Sequence, residues 1–138
     1  DLVEDKQGRI WIGTFGGGLN MLKGKEISIF DNTNGFPDKK IQSLLVNFEG
    51  MLLVGTNDFG LQVFKGFQFL NFIDLPENMM GAAFDVAFID HELFLATGKG
   101  LMKLHLSGDG FYTLLAHQVF LPGIGIKFIE TDGEKGLW

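Results

Sequence analysis

The chain has 138 residues with a net charge of −6, and 46% of them are hydrophobic, including 15 Phe beside 20 Gly and only 3 Pro. This composition excludes a disordered segment and describes many turns between apolar strands. The absence of Cys excludes disulfides, thiolate metal sites and a Cys nucleophile, and scattered Lys and Arg argue against nucleic acid, which needs a concentrated basic footprint.

Taken in order, Leu2-Val3-Glu4 is expected to be the end of an inner strand, followed by strands at Arg9–Thr14, Leu19–Leu22 and Glu26–Phe30. Clusters of Gly, Asn and Asp bound these runs, as turn residues do. Asp31–Lys40 is a polar connector in which Asn34-Gly35 and Pro37 specify a turn. The next four strands are expected at Ile41–Phe48, Met51–Thr56, Leu61–Phe64 and Phe67–Phe72, followed by the connector Ile73–Ala82. A third set follows at Ala83–Ile89, Glu92–Thr97, Leu101–Leu106 and Phe111–Leu115, with the connector Ala116–Gly123, and Ile124–Glu130 opens a fourth. Runs such as Leu44-Leu45-Val46 and Met51-Leu52-Leu53-Val54 are apolar on both faces, which calls for burial on both sides.

The order in residues 5–19, a polar turn, an apolar run, a small residue, Thr, a glycine turn and a second apolar run, recurs at 48–61 and 90–101 and restarts at 132. Alignment puts Leu53, Phe94 and Trp138 under Trp11, at spacings of 42, 41 and 44 residues. A period of this length with several short strands per unit is that of a β-propeller blade. The fold class is therefore all-β: about three four-stranded antiparallel blades and the start of a fourth, with repeats at about 1–40, 41–82, 83–123 and 124–138. Three blades fall short of the roughly 4–8 that close a ring, so the chain reads as a partial propeller within a longer protein. The small residues Gly13, Gly55 and Ala96 stand two positions after Trp11, Leu53 and Phe94. They share a strand face with them and are expected to make room for a bulky side chain of the adjoining blade.

The string Glu4-Asp5-x-x-Gly8-Arg9-Ile10-Trp11-Ile12-Gly13-Thr14-x-Gly16-Gly17-Gly18-Leu19-Asn20 resembles the two-component regulator propeller repeat, and Asn34-Gly35-Phe36-Pro37 is similar to the connector of that family. The second copy keeps Gly50, Gly55-Thr56 and Gly60-Leu61 without the Trp and the glycine triplet, and the third keeps Thr97 and Gly100-Leu101. The resemblance implies the periplasmic sensor region of a bacterial inner-membrane signalling protein, with carbohydrate as a ligand class. No catalytic residue belongs to the repeat.

Chemical motifs give way to structural readings. Gly16-Gly17-Gly18 lies in a turn between strands and no Gly-Lys-Ser/Thr follows, so it is a tight turn and not a phosphate cradle. His91-Glu92 has Leu95 where a zinc-protease helix needs its second His. Asp31–Gly35 has Thr33 and Gly35 at calcium-ligand positions, which makes it a turn. His91, His105 and His117 fall at different points of the repeat, and no Ser occupies a nucleophile elbow. No catalytic residue, metal ligand or cofactor is assigned.

In a propeller, the connectors and the loops between second and third strands ring one mouth of the channel, and such loops on a rigid scaffold carry binding residues. The candidates are Phe15, Asp38, Lys40, Asn57, Asp58, Phe59, Met80, Lys99 and Gln118, with Phe36, Phe59 and Phe120 as the connector aromatics placed to meet a ligand. The expected partners are a small-molecule or oligosaccharide ligand, the remaining blades and output domain of a parent protein, and a second copy in a homodimer. Neither nucleic acid nor membrane insertion is expected. A non-catalytic sensor is the leading reading; a structural or protein-interaction propeller, or part of a propeller lyase or hydrolase, are the alternatives.

Overall fold

The computed structural model describes residues 1–65, 68–71, 82–89, 92–106, 114–132 and 136–138. The strands are β1 (Leu2–Glu4), β2 (Ile10–Gly13), β3 (Leu19–Lys23), β4 (Glu26–Phe30), β5 (Ile41–Val46), β6 (Leu52–Thr56), β7 (Leu61–Lys65), β8 (Gln68–Asn71), β9 (Ala83–Ile89), β10 (Glu92–Thr97), β11 (Gly100–Leu106) and β12 (Leu114–Phe120). They form three antiparallel sheets, β1-β2-β3-β4, β5-β6-β7-β8 and β9-β10-β11-β12, each a meander in chain order. These are three consecutive four-stranded blades. Among the described residues no helix is long and apolar enough to cross a membrane.

The recurring polar turn is built on one Asx side chain in the first, second and fourth repeats. Asp5 Oδ1 accepts from the amides of Gln7 (2.9 Å) and Arg9 (3.1 Å), Asn47 Oδ1 from Glu49 (3.0 Å) and Met51 (2.9 Å), and Asp132 Oδ1 from Gly136 (3.0 Å). The fourth residue of the first two turns, Gly8 and Gly50, has φ of 71° and 82°, which only glycine adopts freely. The repeated Thr closes the other end of the hairpin. Thr14, Thr56 and Thr97 donate their hydroxyls to the carbonyls of Gly18 (2.9 Å), Gly60 (2.7 Å) and Gly100 (2.8 Å), and accept from the amides of Gly17, Phe59 and Lys99. A buried hydroxyl that both donates and accepts leaves no orphan group in the turn.

The middle blade is packed on both faces, and alternate residues of β6 divide between them. Leu52 and Val54 join Trp11, Leu19, Phe36, Ile41, Leu44 and Phe64 in the core between the first two blades. Leu53 joins Met51, Leu61, Val63, Val86, Leu93, Leu95, Met102 and Leu104 in the core between the second and third. This accounts for the uninterrupted apolar runs. Of the residues aligned at the Trp11 position, Trp11 and Leu53 face the following blade. Trp11 is 0% and Leu53 1% exposed, Phe94 is half-buried, and Trp138 is 80% exposed.

The small residues after these positions behave as expected at Gly13, where an added Cβ would lie 2.5 Å from Ile41 Cγ2 of the next blade. At Gly55 the neighbours differ: a Cβ would meet the Ser43 hydroxyl oxygen of its own blade and, at 2.5 Å, the backbone carbonyl oxygen of Ala83, so room is made for the cross-strand serine and the β9 main chain and not for a bulky side chain.

Two expected strands are corrected. The outer strand of the third blade, Leu114–Phe120, runs past the expected end at Leu115 and takes in most of the expected connector Ala116–Gly123; residues 111–113 lie outside the described residues. Pairing with β11 sets it, from Leu101 opposite Phe120 to Leu106 opposite Leu114, and turns Val119 onto the core. Ile124–Glu130 is not a strand. It is held by single bonds, Ile126 N–H to the Thr97 carbonyl (2.9 Å) and Ile129 N–H to Asp85 Oδ2 (3.0 Å), and ladder pairing starts only where Glu130 and Trp138 exchange backbone bonds of 3.0 and 2.9 Å.

Candidate functional site

The connector 31–40 and the loops 15–18 and 57–59 are sewn together at the end of the first two blades. Lys39 offers its carbonyl to the amides of Gly16 (2.7 Å) and Gly18 (3.0 Å), and Lys40 its carbonyl to the amide of Asn57 (3.0 Å). Asp38 is the organiser. It is buried, and its carboxylate accepts from the amides of Lys40 (3.0 Å) and Asp58 (2.9 Å), so it shapes the loops and is not presented to a ligand. Lys40 Nζ lies 3.4 Å from Asp58 Oδ2. Asn57 accepts from Gln42 Nε2 (2.9 Å) and donates to Asp58 Oδ1 (2.6 Å). Phe15 and Phe59 extend outward, 70% and 47% exposed. In the connector itself, the Thr33 hydroxyl and amide hold the Asp31 carboxyl below the usual range against the opposing effect of burial, with Lys39 adding to the lowering.

The structure thus gathers Phe15, Asp38, Lys40, Asn57 and Asp58 at one junction, with Phe59 next to Asp58 on the same loop. Lys99 sits on the equivalent loop of the third blade, its amide donating to Thr97 Oγ1 (3.1 Å) and its carbonyl accepting from Gly123 (2.9 Å). Gln118 is not on a connector: it lies within β12 opposite Lys103. Met80 lies outside the described residues. Of the connector aromatics, Phe36 is wholly buried in the core between the first two blades, and Phe120 ends β12 at 36% exposed.

Beside this junction an open pocket of about 270 Å³ is lined by Gln42, Phe84, Lys127 and Phe128. These residues were not among the sequence candidates, because Gln42 and Phe84 sit in apolar strands that read as core. Their signal is register. Ser43 faces Gly55 and Asp85 faces Ala96 across equivalent strand pairs, so Gln42 and Phe84, each one residue earlier, share a repeat position. Pairing of Glu130 with Trp138 brings Lys127 to the same position in the next repeat.

The inner segments are also tied across blades near this end. Asp1 Oδ2 accepts from the amide of Leu44 in the second blade (2.7 Å), and Asp85 Oδ2 from the amide of Ile129 (3.0 Å). At the equivalent position Ser43 is too short to reach across, and its buried hydroxyl has no hydrogen-bond partner among the described residues. Among the described residues no group of three or more His, Asp or Glu is arranged to hold a metal ion.

Meander blades stacked face to face, with clustered loops at one end of the inner strands, define a β-propeller segment. Residues 1–16 match the model of the two component regulator propeller. Among solved structures the chain is similar to the extracellular domain of a hybrid two component system from B. thetaiotaomicron, with a TM-score of 0.73 and 21% identity over 100% of this chain. The match covers 18% of that domain, so the chain corresponds to less than a fifth of its length, and at this identity the likeness is one of fold. A search of curated proteins finds no match.

Proposed function

We propose that the chain is part of a non-catalytic, ligand-sensing propeller in the extracytoplasmic region of a bacterial membrane-bound signalling protein, and that the ligand is a saccharide. The pocket at Gln42, Phe84, Lys127 and Phe128 carries the reading. Aromatic faces beside a few fixed polar groups are the usual lining of small-molecule sites, and rings that stack on a pyranose next to an amide that bonds its hydroxyls suit a sugar. The regulator propeller match at residues 1–16 and the extracellular setting of the similar structure support the sensing role and the location. A thermal-shift screen of the full chain against neutral and acidic oligosaccharides tests it. At least one is expected to raise the melting temperature, and Phe84→Ala to abolish the rise; a panel with no stabilising saccharide overturns the proposal.

A second reading, self-association, is favoured by the outward face of the first blade. Cross-strand register aligns Leu2, Ile12, Asn20 and Ile29 in one row and Glu4, Ile10, Leu22 and Ile27 in the next. Leu2, Ile27 and Ile29 are 63%, 67% and 56% exposed, an apolar patch of the kind that association covers. Light scattering should then report a dimer that Ile29→Lys converts to monomer. A monomer at every concentration removes this reading.

A further inference from the structure

We infer that the pocket selects an acidic saccharide, with Lys127 anchoring its carboxylate or sulfate; this rests on the saccharide reading above and adds the charge class. Three successive repeats each contribute one side chain from the same register position, an amide from Gln42, a ring from Phe84 and an ammonium from Lys127. The amide is already oriented, because Gln42 Nε2 donates to Asn57 Oδ1 (2.9 Å), which leaves Gln42 Oε1 to accept from a ligand hydroxyl.

The charges around the pocket divide unequally. Lys40 is engaged by Asp58 at 3.4 Å. Asp38 is held by two backbone amides and Asp85 by the amides of Val86 (2.9 Å) and Ile129 (3.0 Å), which fix both carboxylates outside the lining while they keep their charge. Lys127 forms no ion pair among the described residues. Of the four lining residues Lys127 is the charged one, so the charge presented at the pocket wall is an ammonium, on a chain whose net charge is −6. A neutral sugar would leave that ammonium with only water and hydroxyls, whereas a carboxylate or sulfate gains a charge-assisted hydrogen bond, roughly twice as strong as a neutral one. At about 270 Å³ the pocket suits one end of a saccharide and not a long stretch of polymer, which puts the recognised charge on the terminal residue.

Isothermal titration of the full chain with matched pairs separates charge from sugar: trigalacturonate against its carboxyl-reduced form, and galactose 6-sulfate against galactose. In at least one pair the acidic member is expected to bind about tenfold more tightly at low salt, about 1.4 kcal/mol, with the preference shrinking as salt screens it. Lys127→Met should erase the preference and Lys127→Arg should keep it. Equal binding within both pairs, or a preference that survives Lys127→Met, overturns the charge assignment while leaving the saccharide reading standing. Absence of binding by all four ligands, together with a silent oligosaccharide panel, overturns both.

Discussion

Replacing Trp11 by Ala tests the packing logic of the repeat most directly. The side chain is fully buried, its ring lies 5.6 Å from Phe30 and 4.8 Å from Phe64, and the Arg9 guanidinium stands 5.3 Å from its centroid. Its Nε1 donates to Asp5 Oδ2 at 2.7 Å. Truncation removes a large core aromatic, worth about 3–5 kcal/mol, and leaves a buried carboxylate oxygen one donor short, worth a further ~1–3 kcal/mol where no water replaces it. These effects overlap, so the expected loss is about 4–6 kcal/mol. Trp11→Phe separates them, because it keeps an aromatic filler and deletes the donor. A smaller loss of about 1–3 kcal/mol is expected for it. Equilibrium urea unfolding followed by circular dichroism measures both, and a loss below about 1 kcal/mol for Trp11→Ala would refute the argument that this residue locks the first blade to the second.

The Asp5 carboxyl carries a pH dependence. Burial pushes its pKa up, but hydrogen bonds from the Trp11 indole, the Arg9 amide and side chain and the Gln7 amide outweigh it and hold the group below its ordinary 3.8. A carboxyl lowered in the folded state contributes stability that is fully present above 3.8 and is lost as pH falls through the folded value. Urea midpoints should therefore drop below pH 4, and Asp5→Asn should flatten that part of the profile. Gly55→Ala drives a methyl to 2.5 Å from the Ala83 carbonyl oxygen and should cost about 1–3 kcal/mol in the same assay; a neutral result would mean that β9 slides freely along β6. Asp85→Ala removes the acceptor of the Ile129 amide, and hydrogen exchange there should accelerate about 5-fold to 100-fold, with Asp85→Asn intermediate; unchanged exchange would show that the bond does not hold the segment.

The blades were legible because local and global signals agree in them. At Ile10–Gly13 and Leu52–Thr56 an Asx turn precedes an apolar run and a Thr–Gly closure follows, so sequence spacing alone set the strands within a residue or two. Leu114–Phe120 was obscured because Ala116, His117 and Gln118 have weak strand character, and only the ladder with β11 fixes them. Ile124–Glu130 has strand-like residues but lacks the continuous partner that a ladder requires. The loops of the site could be read from their Gly, Asn and Asp content, whereas Gln42 and Phe84 could not. Their neighbours on the strand are core residues, and nothing local in the sequence distinguishes an inner-strand end that lines a pocket from one that is packed. Phe36 shows the converse: its place in a polar connector suggested exposure, but the connector folds back and seals the core with it.

The dependence of the Trp11 position on the following blade makes stability a property of junctions. In a stack of this kind each unit contributes a modest intrinsic term and each contact between units a larger one, in the manner of a one-dimensional chain with nearest-neighbour coupling. Adding a blade at the Trp138 side then contributes both a unit and a junction, and joining the two ends would contribute a junction with no further residues to order. Damage at one junction is felt by the two blades that share it and is muffled beyond them. Trp11 and Leu53, each buried against the blade that follows, are on this account the two couplings that transmit such damage between neighbouring blades.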